Sequence, residues 1–237
     1  RLKGSQDGRG GVGSYRPGRP RRPWELSASA TASSPALEKA WDDSDSFVRV
    51  AAAAALHHGD PPVGTSEARE KGLDFLVQAL STGRGSDVRK TAVVALGVIG
   101  QGAELPKEAV DALVQALSTD EYPSIRKGAA TALGAIGERA ELPKEAVDAL
   151  VEASSTSAND SVRLHAERVL ADIHGRLPEE AIASLIKLLS THDESRVREN
   201  AAATLGAINE RAELSEEAVN ALAEAVSTSE YIDARLH

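Results

Sequence analysis

The 237-residue sequence contains no cysteine and no methionine, and aromatic residues make up only 3% of it. Without cysteine there is no disulfide framework, no thiolate metal site and no thiol nucleophile. So few aromatics argue against a β-sandwich or barrel, whose strands favour aromatic and β-branched side chains. No run of 18 apolar residues occurs, and the Arg/Gly/Pro-rich start lacks the apolar stretch of a secretory signal, so neither a membrane span nor export is expected. The expected location is the cytoplasm. Basic residues are also in deficit, 27 Lys/Arg against 36 Asp/Glu, for a net charge of −9. The deficit is uneven: residues 1–33 carry seven basic against two acidic residues, or +5, which leaves 20 against 34, or −14, for the remainder. A body this acidic repels phosphate backbones, excluding a DNA-wrapping role, and steers partners with basic patches toward it. With no initiator methionine, and with both ends falling in the middle of a repeating unit, a fragment of a longer chain is expected.

What the sequence does contain is a repeat. Hydrophobic residues are 41%, chiefly Ala, Leu, Val and Ile, enough for a sizeable all-helical core. A β-branched residue, or once Ala, is followed by Arg at Val48-Arg49, Val88-Arg89, Ile125-Arg126, Val162-Arg163, Val197-Arg198 and Ala234-Arg235, in steps of 40, 37, 37, 35 and 37. Seven residues after each of the first five arginines stands a leucine: Leu56, Leu96, Leu133, Leu170 and Leu205. A Gly-Xaa-Ile-Gly closure follows at Gly97–Gly100 and Gly134–Gly137, loosening to Gly206-Ala207-Ile208-Asn209. The segment from Leu105 to Val114 recurs almost unchanged from Leu142 and Leu214, and recognisably from Leu177. A fixed period of this length is the mark of stacked supersecondary units.

Each unit reads as two helices. In the first, Val110, Leu113, Val114 and Leu117 fall at i, i+3, i+4 and i+7, while Glu108, Asp111 and Gln115 occupy the opposite side. Pro106, Pro143 and Pro178 fit its first turn, where no N–H is needed, and Ser215 at the matching place suits a cap. Ser-Thr pairs at 81–82, 118–119 and 227–228 mark its end. In the second helix Val88, Ala92, Ala95, Leu96 and Ile99 form the buried stripe, and Gly100 or Gly137 is expected to supply a left-handed stop. One such pair cannot bury both stripes alone, so neighbouring pairs must stack, with small residues such as Ala129, Ala132, Ala201 and Ala203 admitting close approach.

An Asp-Val-Arg-type turn opening the second helix and Ala-Leu-Gly-Xaa-Ile-Gly closing it resemble the HEAT repeat, in particular the short HEAT-like repeats also found in phycobilisome lyases. The resemblance covers residues 35–237 and implies a right-handed α-solenoid of about five stacked antiparallel helix pairs, preceded by an Arg/Gly/Pro/Ser-rich segment over 1–33 expected to be disordered. It further implies an Asp–Arg ladder between neighbours, for which Asp87 and Asp233 stand in place, whereas Phe47, Ser124, Ser161 and Arg196 take that position elsewhere. The segment 59–69 is expected to be a long loop accounting for the 40-residue step.

Chemistry is hard to place in this sequence. Gly8-Arg9-Gly10-Gly11-Val12-Gly13 matches the dinucleotide fingerprint, but neither a strand before it nor a helix after it is indicated. No two of the six histidines (His57, His58, His165, His174, His192, His237) stand at the i, i+4 spacing that converges on a metal. No catalytic residue, cofactor or metal site is therefore expected. The repeated arginines, at one register in every unit, suit stacking, through bonds to carbonyls or acids of an adjacent turn. Binding should instead use the positions at which the repeats differ. In HEAT-like solenoids the second helices line the concave side, so the candidate contacts are Lys90, Thr91, Val94, Lys127, Thr131, Leu164, His165, Arg168, Glu199 and Asn200. The expected function is a non-catalytic scaffold or sensor segment gripping a protein or peptide. The alternative is a bilin-lyase-like or other ligand-handling protein, for which an aromatic-lined pocket would be needed.

Overall fold

The structure is a computed structural model, and it describes residues 39–40, 45–57, 65–83 and 85–233. The N-terminal segment 1–33, its glycine motif, and the last residues 234–237 lie outside the described residues. Among those described there is no strand; ten α-helices follow one another: α1 (Ser46–Leu56), α2 (Ser66–Thr82), α3 (Ser86–Gly102), α4 (Lys107–Thr119), α5 (Pro123–Gly137), α6 (Lys144–Thr156), α7 (Asp160–Asp172), α8 (Glu179–Thr191), α9 (Ser195–Asn209) and α10 (Glu216–Asp233). A 3-10 turn, His174–Arg176, joins α7 to α8. The pairs α2/α3, α4/α5, α6/α7 and α8/α9 are four complete units, flanked by a second-type helix, α1, and a first-type helix, α10. Even-numbered helices pack on even-numbered neighbours and odd on odd, so the molecule is a two-layered stack with one continuous core between the layers. No helix among the described residues is long and apolar enough to cross a membrane.

The predicted stripes are the observed core. Val110, Leu113 and Leu117 are buried in α4, and Leu56, Leu96, Leu133, Leu170 and Leu205 are each fully buried at the same register of successive second helices. First helices begin where expected, with Pro106, Pro143 and Pro178 as the cap residue itself, one position earlier than the first turn. Ser215 caps α10, its Oγ accepting from Ala218 N at 3.3 Å. At the other end the Ser-Thr hydroxyls bond back into the helix: Ser81 donates to the Val77 carbonyl and Thr119 to that of Gln115, each at 2.9 Å. The third pair, Ser227-Thr228, lies inside α10 and ends nothing.

Three local expectations are corrected. Residues 66–69, expected in a loop, form the first turn of α2, because Thr65 caps it, Oγ1 accepting from Ala68 N at 3.1 Å. Gly100 and Gly137 are helical, and no described glycine takes a left-handed backbone. Their role is close approach: a Cβ on Gly100 would lie 2.5 Å from Ile136 Cγ1, and one on Gly137 would lie 3.0 Å from Ile173 Cγ2. The same holds at Gly134, where Val169 Cγ2 would be 2.9 Å away. The repeated glycines thus seat the side chain of the next second helix on the backbone of the previous one. Finally, Ala203 is exposed, so it does not belong with the buried Ala129, Ala132 and Ala201.

Candidate interaction surface

The repeated arginines are absorbed by the scaffold. Arg89, Arg126 and Arg198 each donate to the carbonyl six residues upstream, at the end of the first helix of their own pair: Arg89 to Gly83 at 2.9 Å, Arg126 to Asp120, and Arg198 to His192 at 2.6 Å. They satisfy carbonyls that a helix end leaves orphaned. Arg89 also reaches the next unit, Nε donating to Asp120 Oδ2 at 2.8 Å, with its guanidinium 5.4 Å from the Tyr122 ring centroid. Its carboxylate partners are therefore Asp120 and, at 3.3 Å, Glu121, not the Asp87 that the family pattern pointed to. Arg163 departs from the row, turning to Asp160 at 3.3 Å and Glu167 at 3.9 Å on its own helix.

The departure coincides with a change in the stack. Where α2, α4 and α8 bury Leu80, Leu117 and Leu189, α6 buries Ser154. Ser154, Ser155, Asn200 and Thr204 are the buried polar residues of the described chain, and they meet where α6 packs on α9. Asn200 Nδ2 donates to the Ser155 carbonyl at 2.8 Å, Thr204 Oγ1 donates to the Asn200 carbonyl at 2.9 Å, and Arg196 donates to the Ser157 carbonyl at 3.4 Å. The end of α6 is thus tied by α9 of the following unit rather than by its own arginine. Asn200, expected as an exposed contact, is only 8% exposed and is a structural residue.

The other sequence-derived positions do share a surface. Lys90, Val94, Thr131, Leu164, Arg168 and Glu199 are exposed, and Thr91, Lys127 and His165 are half-buried. All stand on the second helices, away from the core stripe. Second helices touch one another more extensively than first helices do, with Gly97 against Ala132 and Gly128 against Val93, so the stack curves with this layer on the inside. Val98, not singled out from the sequence, joins the face: it is 53% exposed, one turn beyond Val94 on α3. Its signal was one more apolar side chain on a helix whose core stripe was already complete.

The electrostatics of this face differ from those of the whole chain. Partial burial, and then the charges of Lys127 and Arg168, hold His165 below the ordinary histidine value. Arg168 Nη2 donates to His165 Nε2 at 3.4 Å, which holds the guanidinium beside the imidazole on α7. The net charge points to basic partners; locally, from α3 to α7, the inner face has the opposite sign. A separate crevice of about 360 Å³ lies between the ends of α2 and α4, lined by Leu80, Gly83, Arg89, Ala116, Asp120 and Glu121. Arg89 spans it with the bonds already described. Among the described residues no group of three His, Asp or Glu converges as a metal site.

Two stretches, residues 73–171 and 147–237, match the family model for HEAT repeats, which together cover more than half of the sequence. The chain belongs to the HEAT-repeat family. Its repeats also match solved structures, among them the complex of CpcE and CpcF of phycocyanin lyase from Nostoc sp. PCC7120, at 22% identity over 74% of this chain and 99% of that one, with a TM-score of 0.44. No curated protein matches the sequence.

Proposed function

We propose that this HEAT segment is a non-catalytic protein-binding scaffold or sensory arm, working in the cytoplasm and gripping its partner with the inner face of its second helices. The observation that carries this reading is a division of labour between positions. Those shared by the repeats, such as Leu96, Leu133 and the arginines Arg89, Arg126 and Arg198, are consumed by stacking. Those that vary, Lys90, Lys127, Leu164 and Glu199 at one register and Val94, Thr131 and Arg168 at another, lie together on one accessible face. Stacking does not dictate their identity, and a curved stack presents them as one long surface suited to an extended protein segment. DNA does not fit an acidic body of this kind.

Site-specific photocrosslinking tests this. A photoreactive residue at Thr131, on the inner face, should yield a discrete adduct in extracts of the source organism, and one at Gln115, exposed on the outer helix α4, should not. Equal adducts at both sites would remove the assignment to the inner face, and no adduct at either would remove the protein-binding reading.

A further inference from the structure

We infer that the inner face of α3, α5 and α7 takes an acidic peptide segment with apolar residues set between its carboxylates. The inference rests on the protein-binding reading and gives it a ligand chemistry. Lys90, Lys127 and Arg168 come from three successive second helices, and none has a carboxylate within ion-pair distance among the described residues. On α2, α4 and α6, the outer helices of the same three units, the pattern is reversed: Lys71, Lys107 and Lys144 each bond a carboxylate four residues away. In a repeat body of net −14, carboxylates abound, yet the inner cations are left without them. Burial first, and the charges of Lys127 and Arg168 second, hold His165 below its ordinary value, so the positive potential of these two cations is felt on this face.

The acids bordering the face do not neutralise it. Asp172 is held by Arg211 at 2.5 Å and Glu167 by Arg163; Asp87, exposed on α3 one turn before Lys90, offsets one of the three cations and leaves the face positive, while Glu199, on α9, marks where the cationic stretch ends. Between the cations stand Val94, Val98 and Leu164, each about half exposed at 49%, 53% and 51%. Exposed apolar side chains interleaved with cations that bond no carboxylate match a segment whose acidic residues are separated by apolar ones. Spacing makes the expectation sharper. Neighbouring helices pack about 8–10 Å apart, and a polyproline II segment rises about 3.1 Å per residue with about three residues per turn, so carboxylates three residues apart share one side of the segment and meet successive helices. The chain's own segment 1–33, at +5, has the wrong sign to be the occupant.

The test uses the full chain and two fluorescent peptides of one apolar pattern, with Glu or with Lys at every third position, read by anisotropy at about 50 and about 200 mM salt. The Glu peptide should bind, weaken with salt, and lose about tenfold or more in affinity in the triple variant K90E/K127E/R168E. These side chains bond no carboxylate, so the variant's melting temperature should stay unchanged. A second variant, V98A/L164A, should weaken binding at both salt concentrations alike. Preference for the Lys peptide, for a single-stranded oligonucleotide, or an affinity untouched by the charge reversals would overturn the inference while leaving the protein-binding reading intact. No binding of the Glu peptide would overturn it too, and the crosslinking at Thr131 then decides separately whether the wider reading stands.

Discussion

Replacing Gly97 by alanine should destabilise the protein, although glycine is the weaker helix former. In an open helix the change gains about 1 kcal/mol. Here the new Cβ would lie 3.1 Å from Ala132 Cβ and 3.2 Å from its Cα, atoms fixed to the α5 backbone that no side-chain rotation can move aside. The two helices must part by a few tenths of an ångström along a packed interface. Overpacking of this kind costs about 1–3 kcal/mol, enough to reverse the sign. Ala132, 3% exposed, should be equally intolerant of growth, so Ala132→Leu should lower stability by a similar amount, or about 2–12 °C in melting temperature at about 2–4 °C per kcal/mol. The pair gives its own control. Ala132→Gly alone loses helix propensity and a buried methyl, but the double change Gly97→Ala/Ala132→Gly moves the methyl across the interface and should cost less than the two single changes summed, by about 0.5–3 kcal/mol. Urea denaturation followed by far-UV circular dichroism reads all four proteins. A stabilising Gly97→Ala, with the double variant simply additive, would refute close approach as the reason for the repeated glycines.

Other expectations concern bonds and protons. Arg89→Met should cost about 1.5–3 kcal/mol, because the Gly83 carbonyl and the nearly buried Asp120, left with Tyr122 N alone, each lose a donor, while Arg163→Met, whose partners lie on its own helix, should cost under about 1 kcal/mol; urea midpoints separate the two. Asn200→Ala should cost about 1–3 kcal/mol by stranding the Ser155 carbonyl, and an unchanged midpoint would return Asn200 to the exposed surface. His57 donates from Nε2 to the Arg69 carbonyl at 2.9 Å, and burial above all holds its pKa below the ordinary value. Its proton is then bound more readily by the unfolded chain, so stability is full above about pH 6.5 and declines as pH falls toward the folded pKa. His57→Gln should flatten that decline, and an identical pH profile would sink the assignment. Mixing with bilin should leave the absorbance spectrum of the pigment unshifted, whereas a shift would favour the ligand-handling alternative.

The repeat made the architecture legible before any coordinates. Leucine at one register and apolar spacings of three and four are consequences of helix geometry alone, so the core of α3 to α9 could be read directly. Roles that depend on what stands opposite could not. Gly100 at a helix end suits a left-handed stop as well as a close approach, and only Ile136 in the next unit distinguishes them. Asn200 shares its register with the half-buried Thr91 and His165, but the 35-residue step and the serines of α6 bring α9 against that helix and bury it. Charge behaved likewise. Lys107 and Asp111 announce their pairing by sitting four residues apart, but the isolation of Lys90, Lys127 and Arg168 depends on three successive units and became visible only once these were stacked.

Hydrogen exchange of the full chain with its crosslinked partner, or with the Glu peptide, tests the inner-face assignment most directly. Protection is expected on α3, α5 and α7, centred on the turns that carry Lys90, Val94, Lys127, Thr131, Leu164 and Arg168. Protection confined to α4 and α6, the outer helices with their paired Lys107 and Lys144, would contradict it.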